Sequence, residues 1–338
     1  MLGVVPEQVI VGGSSSMSLM HDVLARAMLS GSLPGDVSWA QLPEVSFLCP
    51  VPGYDWHFYM LNMLGIRCIS VPLKGSDLDI EMVEQLARDP SVKGMICVPM
   101  YGNPSGITYS DEVVDRLARM HTGADDFRII WDNAYCVHHL YADRRDRLKN
   151  IYDACAQAGH PNRVVMFTST SKITFAGGGV CAMAASAKNI ERQAAMMRYQ
   201  VICYDKVNQL RHARFLPDLA AVERHMARHA EILRPKFELV LGVLERELAG
   251  VGHWERPNGG YFVCYHAPSG CARRTVELCA QVGVTLTPAG AAFPGGADPD
   301  DSVIRIAPTY LGMDELDRVM QVFPVCVKLA QSQSPRRP

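Results

Sequence analysis

The chain has 338 residues, of which 48% are hydrophobic and 20% are charged, and its formal net charge is −2. This is the composition of a globular protein, and it excludes a chain that is mainly disordered. At about 150 residues per domain, the length predicts two domains. The nearly neutral charge, without a long basic block, argues against nucleic acid or an anionic membrane surface as a partner.

The eleven cysteines are scattered along the chain and contain no Cys-x-x-Cys pair. Most of them lie in apolar segments, so we predict reduced core residues and a cytoplasmic location. No apolar segment reaches the ~18 to 20 residues that a membrane span requires. His225 and His229 have the spacing of a zinc protease helix, but position 226 is Met rather than Glu, and we predict no metal site.

Short apolar segments alternate with helical patterns over the first two hundred residues. The predicted strands are Val9–Val11, Val45–Cys49, Arg67–Val71, Gly94–Val98, Arg128–Trp131, Val164–Phe167 and Val180–Ala184. The predicted helices are Met17–Leu29, Trp56–Leu64, Ile80–Ala87, Asp111–Met120 and Leu148–Ala158. This alternation predicts an α/β fold with a mainly parallel sheet and helices on both faces. Ligands of such sheets bind beyond the carboxyl ends of the strands.

The pattern changes after Arg214. The predicted elements there are a long helix over about Pro217–Leu248, strands at Tyr261–Tyr265 and Val303–Ala307, and helices at Thr275–Val282 and Asp314–Phe323. We therefore predict a large domain over residues 1–234 and a smaller C-terminal α+β domain over residues 235–330. The polar, proline-containing residues 331–338 are predicted to be a disordered tail.

Polar residues follow three of the predicted strands. Asp132-Asn133-Ala134-Tyr135 follows one strand, Thr168-Ser169-Thr170-Ser171-Lys172 follows another, and a third leads to Asn103-Pro104-Ser105-Gly106. Because the carboxyl ends of parallel strands share one edge of a sheet, these segments are expected to bring together an amide, a carboxylate, a phenol and an amine.

These motifs, in this order and each after a strand, resemble those of the fold-type I pyridoxal-phosphate enzymes of aminotransferase class I/II. The resemblance covers essentially the whole chain, and it is strongest to the aspartate aminotransferase subgroup related to the effector domain of MocR-type regulators. It implies the fold of that family, pyridoxal 5'-phosphate as cofactor, amino acid and 2-oxo acid substrates, and a homodimer.

The resemblance implies that Lys172 forms a Schiff base with the cofactor and carries the proton of the reaction. It also implies that Asp132 keeps the cofactor ring nitrogen protonated, since a nearby carboxylate favours the charged form. The residues alone leave other interpretations open. Lys172 could be a surface lysine, and Asp132 could be the N-cap of a helix.

Four further residues match cofactor-binding positions of the family. Asn103 and Tyr135 match positions that hydrogen-bond the cofactor phenolate oxygen, although Asn103 alone, before Pro104, is more typical of a turn. Tyr54 matches the aromatic residue that stacks on the cofactor ring, with Trp56 as an alternative. His57 matches a histidine that supports the aspartate of the ring nitrogen, and a purely structural histidine remains an alternative.

A phosphate site is predicted where Gly12-Gly13-Ser14-Ser15-Ser16 links a strand to a helix. Free backbone amides and the positive end of the helix favour an anion there, and three hydroxyls are more than an N-cap requires. By resemblance, Ser169 and Ser171 complete this site. Many relatives have a phosphate-binding arginine eight residues after the lysine, where this chain has Val180. Lys206 or Arg211 is the predicted replacement.

Arg305 is the one charged residue in the apolar segment Ser302–Ala307. A buried guanidinium requires an anion, and its geometry suits a carboxylate. By resemblance, Arg305 binds the α-carboxylate of the substrate together with Asn103, and a structural ion pair is the alternative. Asn258-Gly259-Gly260 resembles a turn that borders the substrate pocket, although a hairpin turn would have the same sequence.

The predicted activity is transfer of the amino group from aspartate to 2-oxoglutarate. A decarboxylase or lyase of the same fold, and a non-catalytic cofactor-binding effector module, are the alternatives. Compared with the family, the serine-containing loop comes early in the chain. The resemblance therefore implies that an N-terminal segment is missing, which in relatives lends a tyrosine across the dimer.

Overall fold

The structure is a computed structural model that describes residues 1–334. Its strands are β1 (Val9–Val11), β2 (Ser46–Val51), β3 (Arg67–Lys74), β4 (Asp77–Leu78), β5 (Val92–Cys97), β6 (Arg128–Asp132), β7 (Val164–Ser169), β8 (Cys181–Ala185), β9 (His253–Trp254), β10 (Val263–His266) and β11 (Val303–Ile306). Its α-helices are α1 (Ser16–Ser30), α2 (Asp55–Met63), α3 (Ile80–Leu86), α4 (Asp111–Arg119), α5 (Ile151–Gln157), α6 (Ala187–Met197), α7 (Lys206–Phe215), α8 (Leu219–Leu248), α9 (Ala272–Gln281) and α10 (Met313–Gln333).

Eight strands form one sheet in the order β1-β8-β7-β6-β5-β2-β3-β4. Neighbouring strands from β7 to β3 pair in parallel, whereas β8, β1 and β4 join in antiparallel pairs at the two sides. The predicted α/β fold is therefore confirmed. The order of the strands reverses between β2 and β5, so the crevice above these two strands is the place where ligands of such sheets bind.

Apolar side chains of the central strands point alternately to two cores. Ile129 and Trp131 of β6 belong to the core beneath α3, α4 and α5, whereas Ile130 between them belongs to the core beneath α1 and α2. This alternation is the period of two that a pleated strand imposes. Both faces of the sheet are consequently covered, which explains why the central strands β2, β5, β6 and β7 are buried along nearly their whole length.

A second, antiparallel sheet has the order β11-β10-β9. It packs with α9, α10 and the second half of α8 around a core of its own. Arg305 lies in β11, opposite Cys264 of β10. Arg305 is therefore the one charged residue of a short, otherwise apolar strand of the C-terminal sheet.

Helix α8 packs against both parts of the chain. Met226 lies in a cluster with Ile173 of the large sheet's loops, whereas Phe237 lies in the core of the C-terminal sheet. Pro235 lies inside the helix between these two residues. We therefore keep a domain boundary between residues 234 and 235 as a proposal, since this change of packing partners supports it.

Three predictions of secondary structure need correction. Helices α6 and α7 were not predicted. Helix α5 begins at Ile151 instead of position 148, because the Asn150 side chain accepts hydrogen bonds from the first turn and caps the helix. The predicted tail begins too early, because α10 continues to Gln333 with Val327 and Ala330 buried. Residues 335–338 lie outside the described part of the chain.

Among residues 1–334, no helix combines the length and the apolar character needed to cross a membrane.

Gly94 in β5 tests how tightly the sheet packs. A Cβ atom there would lie 2.5 Å from Phe47 Cζ and would also collide with the backbone oxygen of Arg128. We expect Gly94→Ala to lower the free energy of unfolding by about 1–3 kcal/mol, because the core must shift to admit the methyl group. Gly242→Ala is the matched control, since nothing lies within 4 Å of a Cβ in that helical position.

Denaturant titration of both variants measures this difference. The control should be unchanged or more stable by up to about 1 kcal/mol, as expected for Ala in a helix. Equal stability of the Gly94 and Gly242 variants would contradict the packing described here.

Candidate active site

Four strand ends of the large sheet meet beside the crevice. Tyr54 follows β2, Asn103 follows β5, Asp132 ends β6, and Lys172 follows β7. Arg305 reaches the same place from β11, where its Nη1 lies 3.2 Å from Oδ1 of Asn103. The structure therefore brings residues from both sheets to one site.

Asp132 is buried, with only 3% of its surface exposed. Its Oδ2 lies 3.1 Å from Nε2 of His57, which is itself buried in α2. Its Oδ1 is buried and has no hydrogen-bond partner among residues 1–334. An unpaired buried carboxylate oxygen is costly, and this oxygen can accept a hydrogen bond from one more donor.

Tyr54 lies next to this pair, with its ring centroid 5.0 Å from that of His57 in an edge-to-face arrangement. Burial raises the pKa of Tyr54 to about 12, and the negative charges of Asp132 and Asp55 add to the effect. The phenol is therefore protonated at neutral pH. Trp56, the alternative aromatic residue, is 58% exposed.

Lys172 has its Nζ 5.1 Å from the ring centroid of Tyr135. Its backbone oxygen accepts hydrogen bonds from the Tyr261 hydroxyl at 2.7 Å and from His138 Nε2 at 3.3 Å. Burial, followed by the charge of Lys172, lowers the pKa of His138 to about 3, so this imidazole is neutral. The main chain of Lys172 is thus held by two hydrogen bonds.

Tyr135 is 2% exposed and packs edge-to-face against Tyr261 and His138. Burial and the nearby Asp132 charge raise its pKa well above the ordinary value for tyrosine. Its hydroxyl therefore stays protonated and can donate a hydrogen bond.

The predicted serine site is assembled from two loops. Ser15 is the N-cap of the fifteen-residue helix α1, and Ser16 is its first residue. The Ser171 hydroxyl donates to the backbone oxygen of Ser14 at 2.6 Å, and the Ser171 amide lies 3.4 Å from Ser169 Oγ. The structure thus places the predicted serines of both loops around the beginning of one helix.

Gly12 explains how these loops come so close. A Cβ there would lie 2.7 Å from Cys181 Sγ and 2.9 Å from a methyl group of Leu19. The backbone of Gly12 and Gly13 also pairs with Cys181. A larger residue at position 12 would push the start of α1 away from β8.

The two cations suggested near these serines form local contacts instead. Lys206 Nζ donates to Gln209, and Arg211 donates to Asn208 and lies over the ring of Phe175. Within residues 1–334, neither cation hydrogen-bonds to the serine side chains. The replacement for an arginine at Val180 therefore stays a prediction.

Arg305 is held by three polar groups. Its Nε donates to Thr287 Oγ1, and its Nη1 lies 3.2 Å from Oδ1 of both Asn103 and Asp55. Its Cζ is 5.3 Å from the ring centroid of Phe262. Sequence reasoning missed Asp55, Thr287 and Phe262 as neighbours of Arg305. Asp55 lies between the two candidate aromatic residues Tyr54 and Trp56. Its partner Arg305 lies 250 residues further along the chain, so no local sequence pattern indicates this pair.

The glycine turn borders this site. A side chain at Gly259 would collide with the ring of Tyr101, and Gly260 has a φ of +81°. Both positions therefore require glycine, and the turn brings the following Tyr261 to Lys172. Among residues 1–334, no group of three or more His, Cys, Asp or Glu side chains is arranged to hold a metal ion.

The family model described as aspartate amino-transferase matches residues 1–336. The aspartate aminotransferase of Corynebacterium glutamicum is 41% identical over 335 residues, which cover 98% of this chain and 77% of that protein. A solved structure of an aspartate transaminase from this organism has a TM-score of 0.95 and 41% identity, covering 98% of this chain and 78% of that chain.

A more distant structure shares the fold. It is LysN, the α-aminoadipate aminotransferase of Thermus thermophilus, complexed with N-(5'-phosphopyridoxyl)-L-leucine. Its TM-score is 0.81 at 20% identity, and the match covers 98% of this chain and 80% of that chain.

The hydrogen bond from Tyr261 to Lys172 can be tested by stability. We expect Tyr261→Phe to lower the free energy of unfolding by about 1 kcal/mol, because a partly buried hydrogen bond is lost. Tyr310→Phe is the control, since Tyr310 is 90% exposed. Chemical denaturation should separate the two variants, and an unchanged Tyr261→Phe protein would show that this bond does not hold the loop.

Proposed function

Since the chain belongs to the aspartate aminotransferase family and is a pyridoxal 5'-phosphate-dependent aminotransferase, we propose that its substrates are aspartate and 2-oxoglutarate. The products are oxaloacetate and glutamate. The name of the Corynebacterium glutamicum relative supports this choice of substrates. The observation that supports the proposed chemistry is the surroundings of Tyr135. The Lys172 amine lies 5.1 Å from its ring centroid, and the charges of Asp132 and Arg305 both act on its hydroxyl.

The site has an acceptor that fits the ring nitrogen of the cofactor. Asp132 Oδ1 is a buried acceptor without a partner, and a protonated ring nitrogen is the donor that would satisfy it. When bound, pyridoxal 5'-phosphate supplies an aldehyde for an amine and a ring that accepts the electron pair left on the substrate Cα. His57 holds Asp132 from the other side, so it is a positioning residue in this proposal.

Lys172 is the proposed catalytic residue. Its amine would attach the cofactor covalently until the amino group of the substrate displaces it. The released amine would then take the proton from the substrate Cα and return it to the cofactor carbon that receives the amino group. The anchoring of its backbone by Tyr261 and His138 supports this role, because a fixed main chain lets the side chain move between two positions.

The remaining cofactor contacts follow from the donors in the site. Ser14, Ser15 and Ser16, at the amino end of α1, bind the phosphate together with Ser169 and Ser171, since this end of a helix favours anions. In addition, the neutral Tyr135 hydroxyl and Asn103 donate to the phenolate oxygen, and Tyr54 covers the ring. The raised pKa of Tyr135 supports its role as a donor.

Arg305 and Asn103 bind the α-carboxylate of the substrate. The guanidinium is only partly exposed, with 15% of its side chain accessible. A cation in such a position binds a carboxylate more strongly than one in open water. This contact orients Cα toward the Lys172 amine.

We also propose a homodimer and a cytoplasmic location. The segment between α6 and α7 exposes large apolar side chains, with Tyr199 exposed to 92% and Ile202 to 100%. Exposed apolar clusters of this kind are typical of protein interfaces. All eleven cysteines are free thiols, which supports a reducing compartment.

Lys172→Ala tests the proposed function. We expect transfer of the amino group from aspartate to 2-oxoglutarate to fall by at least about 10²–10⁴-fold, because the proton carrier is lost. Lys188→Ala, in helix α6, is the control and should keep its activity, since this lysine is exposed. Oxaloacetate and carbon dioxide are measured together. Release of carbon dioxide in place of amino transfer would favour a decarboxylase, and full activity of Lys172→Ala would contradict the role of this lysine.

A further inference from the structure

Arg305 already has a carboxylate partner within the chain. Asp55 Oδ1 lies 3.2 Å from Arg305 Nη1, and the two side chains are 12% and 15% exposed. Asn103 Oδ1 accepts a hydrogen bond from the same Nη1, and Thr287 Oγ1 accepts one from Nε. Nη1 carries two protons and Nε carries one, so these three partners account for all of them. Nη2 has no hydrogen-bond partner among residues 1–334.

This arrangement restricts how a substrate carboxylate can bind. A guanidinium binds a carboxylate best through two parallel N–H groups, either from Nη1 and Nη2 or from Nε and Nη2. Both pairs include a nitrogen that is already bonded. A substrate carboxylate can therefore bind only Nη2 unless Asp55, Asn103 or Thr287 leaves Arg305. Of these three partners, Asp55 is the one whose negative charge repels the substrate carboxylate.

The carboxylate of Asp55 can also be stabilised without Arg305. It is the first residue of the nine-residue helix α2, where the unpaired amides and the helix dipole stabilise an anion. Asp111 has the same position in α4, but it is exposed. The burial of Asp55 against Arg305 is therefore not explained by its place in the helix alone.

We propose that Asp55 competes with the substrate carboxylate for Arg305 and so sets the affinity of the site. Asp55 neutralises the guanidinium in the free protein, and an incoming carboxylate replaces it while its charge stays at the start of α2. The proposal rests on the proposed function, in which Arg305 binds the substrate. It assigns to Asp55 a role in the affinity for the substrate and none in the chemical step.

Asp55→Asn in the holoenzyme tests this inference. The variant keeps an oxygen acceptor for Nη1 and removes the competing charge. We expect the KM for aspartate to fall by about fivefold or more, since a like charge at short distance is removed. The Kd of succinate, a dicarboxylate without an amino group, should fall by a similar factor when followed by cofactor absorbance. Asp55→Ser should have the same effect, and Asp111→Asn should have none.

A rise of KM and of the succinate Kd in Asp55→Asn would overturn the inference, because Asp55 would then position Arg305 for the substrate. Unchanged values would overturn it as well. Arg305→Gln separates this failure from failure of the proposed function. If Arg305→Gln weakens succinate binding and Asp55→Asn does not strengthen it, the proposed competition by Asp55 is wrong and the role of Arg305 in binding the carboxylate stands. If Arg305→Gln has no effect on succinate, Arg305 is not the carboxylate site.

Discussion

The candidate active site depends on the buried carboxylate of Asp132, in which one oxygen is hydrogen-bonded and the other is not. His57 hydrogen-bonds Oδ2, whereas Oδ1 has no hydrogen-bond donor in the described part of the chain. Burying such a group costs free energy unless a ligand completes its hydrogen bonds. In a pyridoxal 5'-phosphate enzyme the ring nitrogen is that donor. In the proposed function, Asp132 would therefore gain its second hydrogen bond only when the cofactor is bound, and its charge would make the cofactor a better electron acceptor.

Topology explains how the other residues reach Asp132. Parallel pairing from β7 to β3 places the carboxyl ends of neighbouring strands at one edge, and the reversal between β2 and β5 opens the crevice there. The C-terminal sheet then contributes Arg305, which bonds Asn103 after β5 and Asp55 in α2. The contact between the two sheets is therefore also part of the proposed substrate site, so movement between them would change how a carboxylate is held.

Much of the fold was predictable from the sequence because its signals are local. The short apolar strands with polar residues after them located Asp132 and Lys172 correctly at strand ends. Helix α6 was missed because it buries Asn189 and Gln193, which hydrogen-bond to Asn162 and Arg26, and so it lacks an apolar stripe. The pairing of Asp55 with Arg305 was not predictable either. It depends on how two sheets pack, and no local pattern records a contact between residues 250 positions apart.

The most direct test of the account is the protonation of the cofactor ring nitrogen. With ¹⁵N-labelled pyridoxal 5'-phosphate in the holoenzyme, NMR reports whether that nitrogen carries a proton. The account predicts a protonated nitrogen in the native protein, with its proton signal coupled to ¹⁵N, and loss of that proton in Asp132→Asn. An unprotonated nitrogen in the native protein, or a protonated one that is unchanged in Asp132→Asn, would contradict the central role of Asp132.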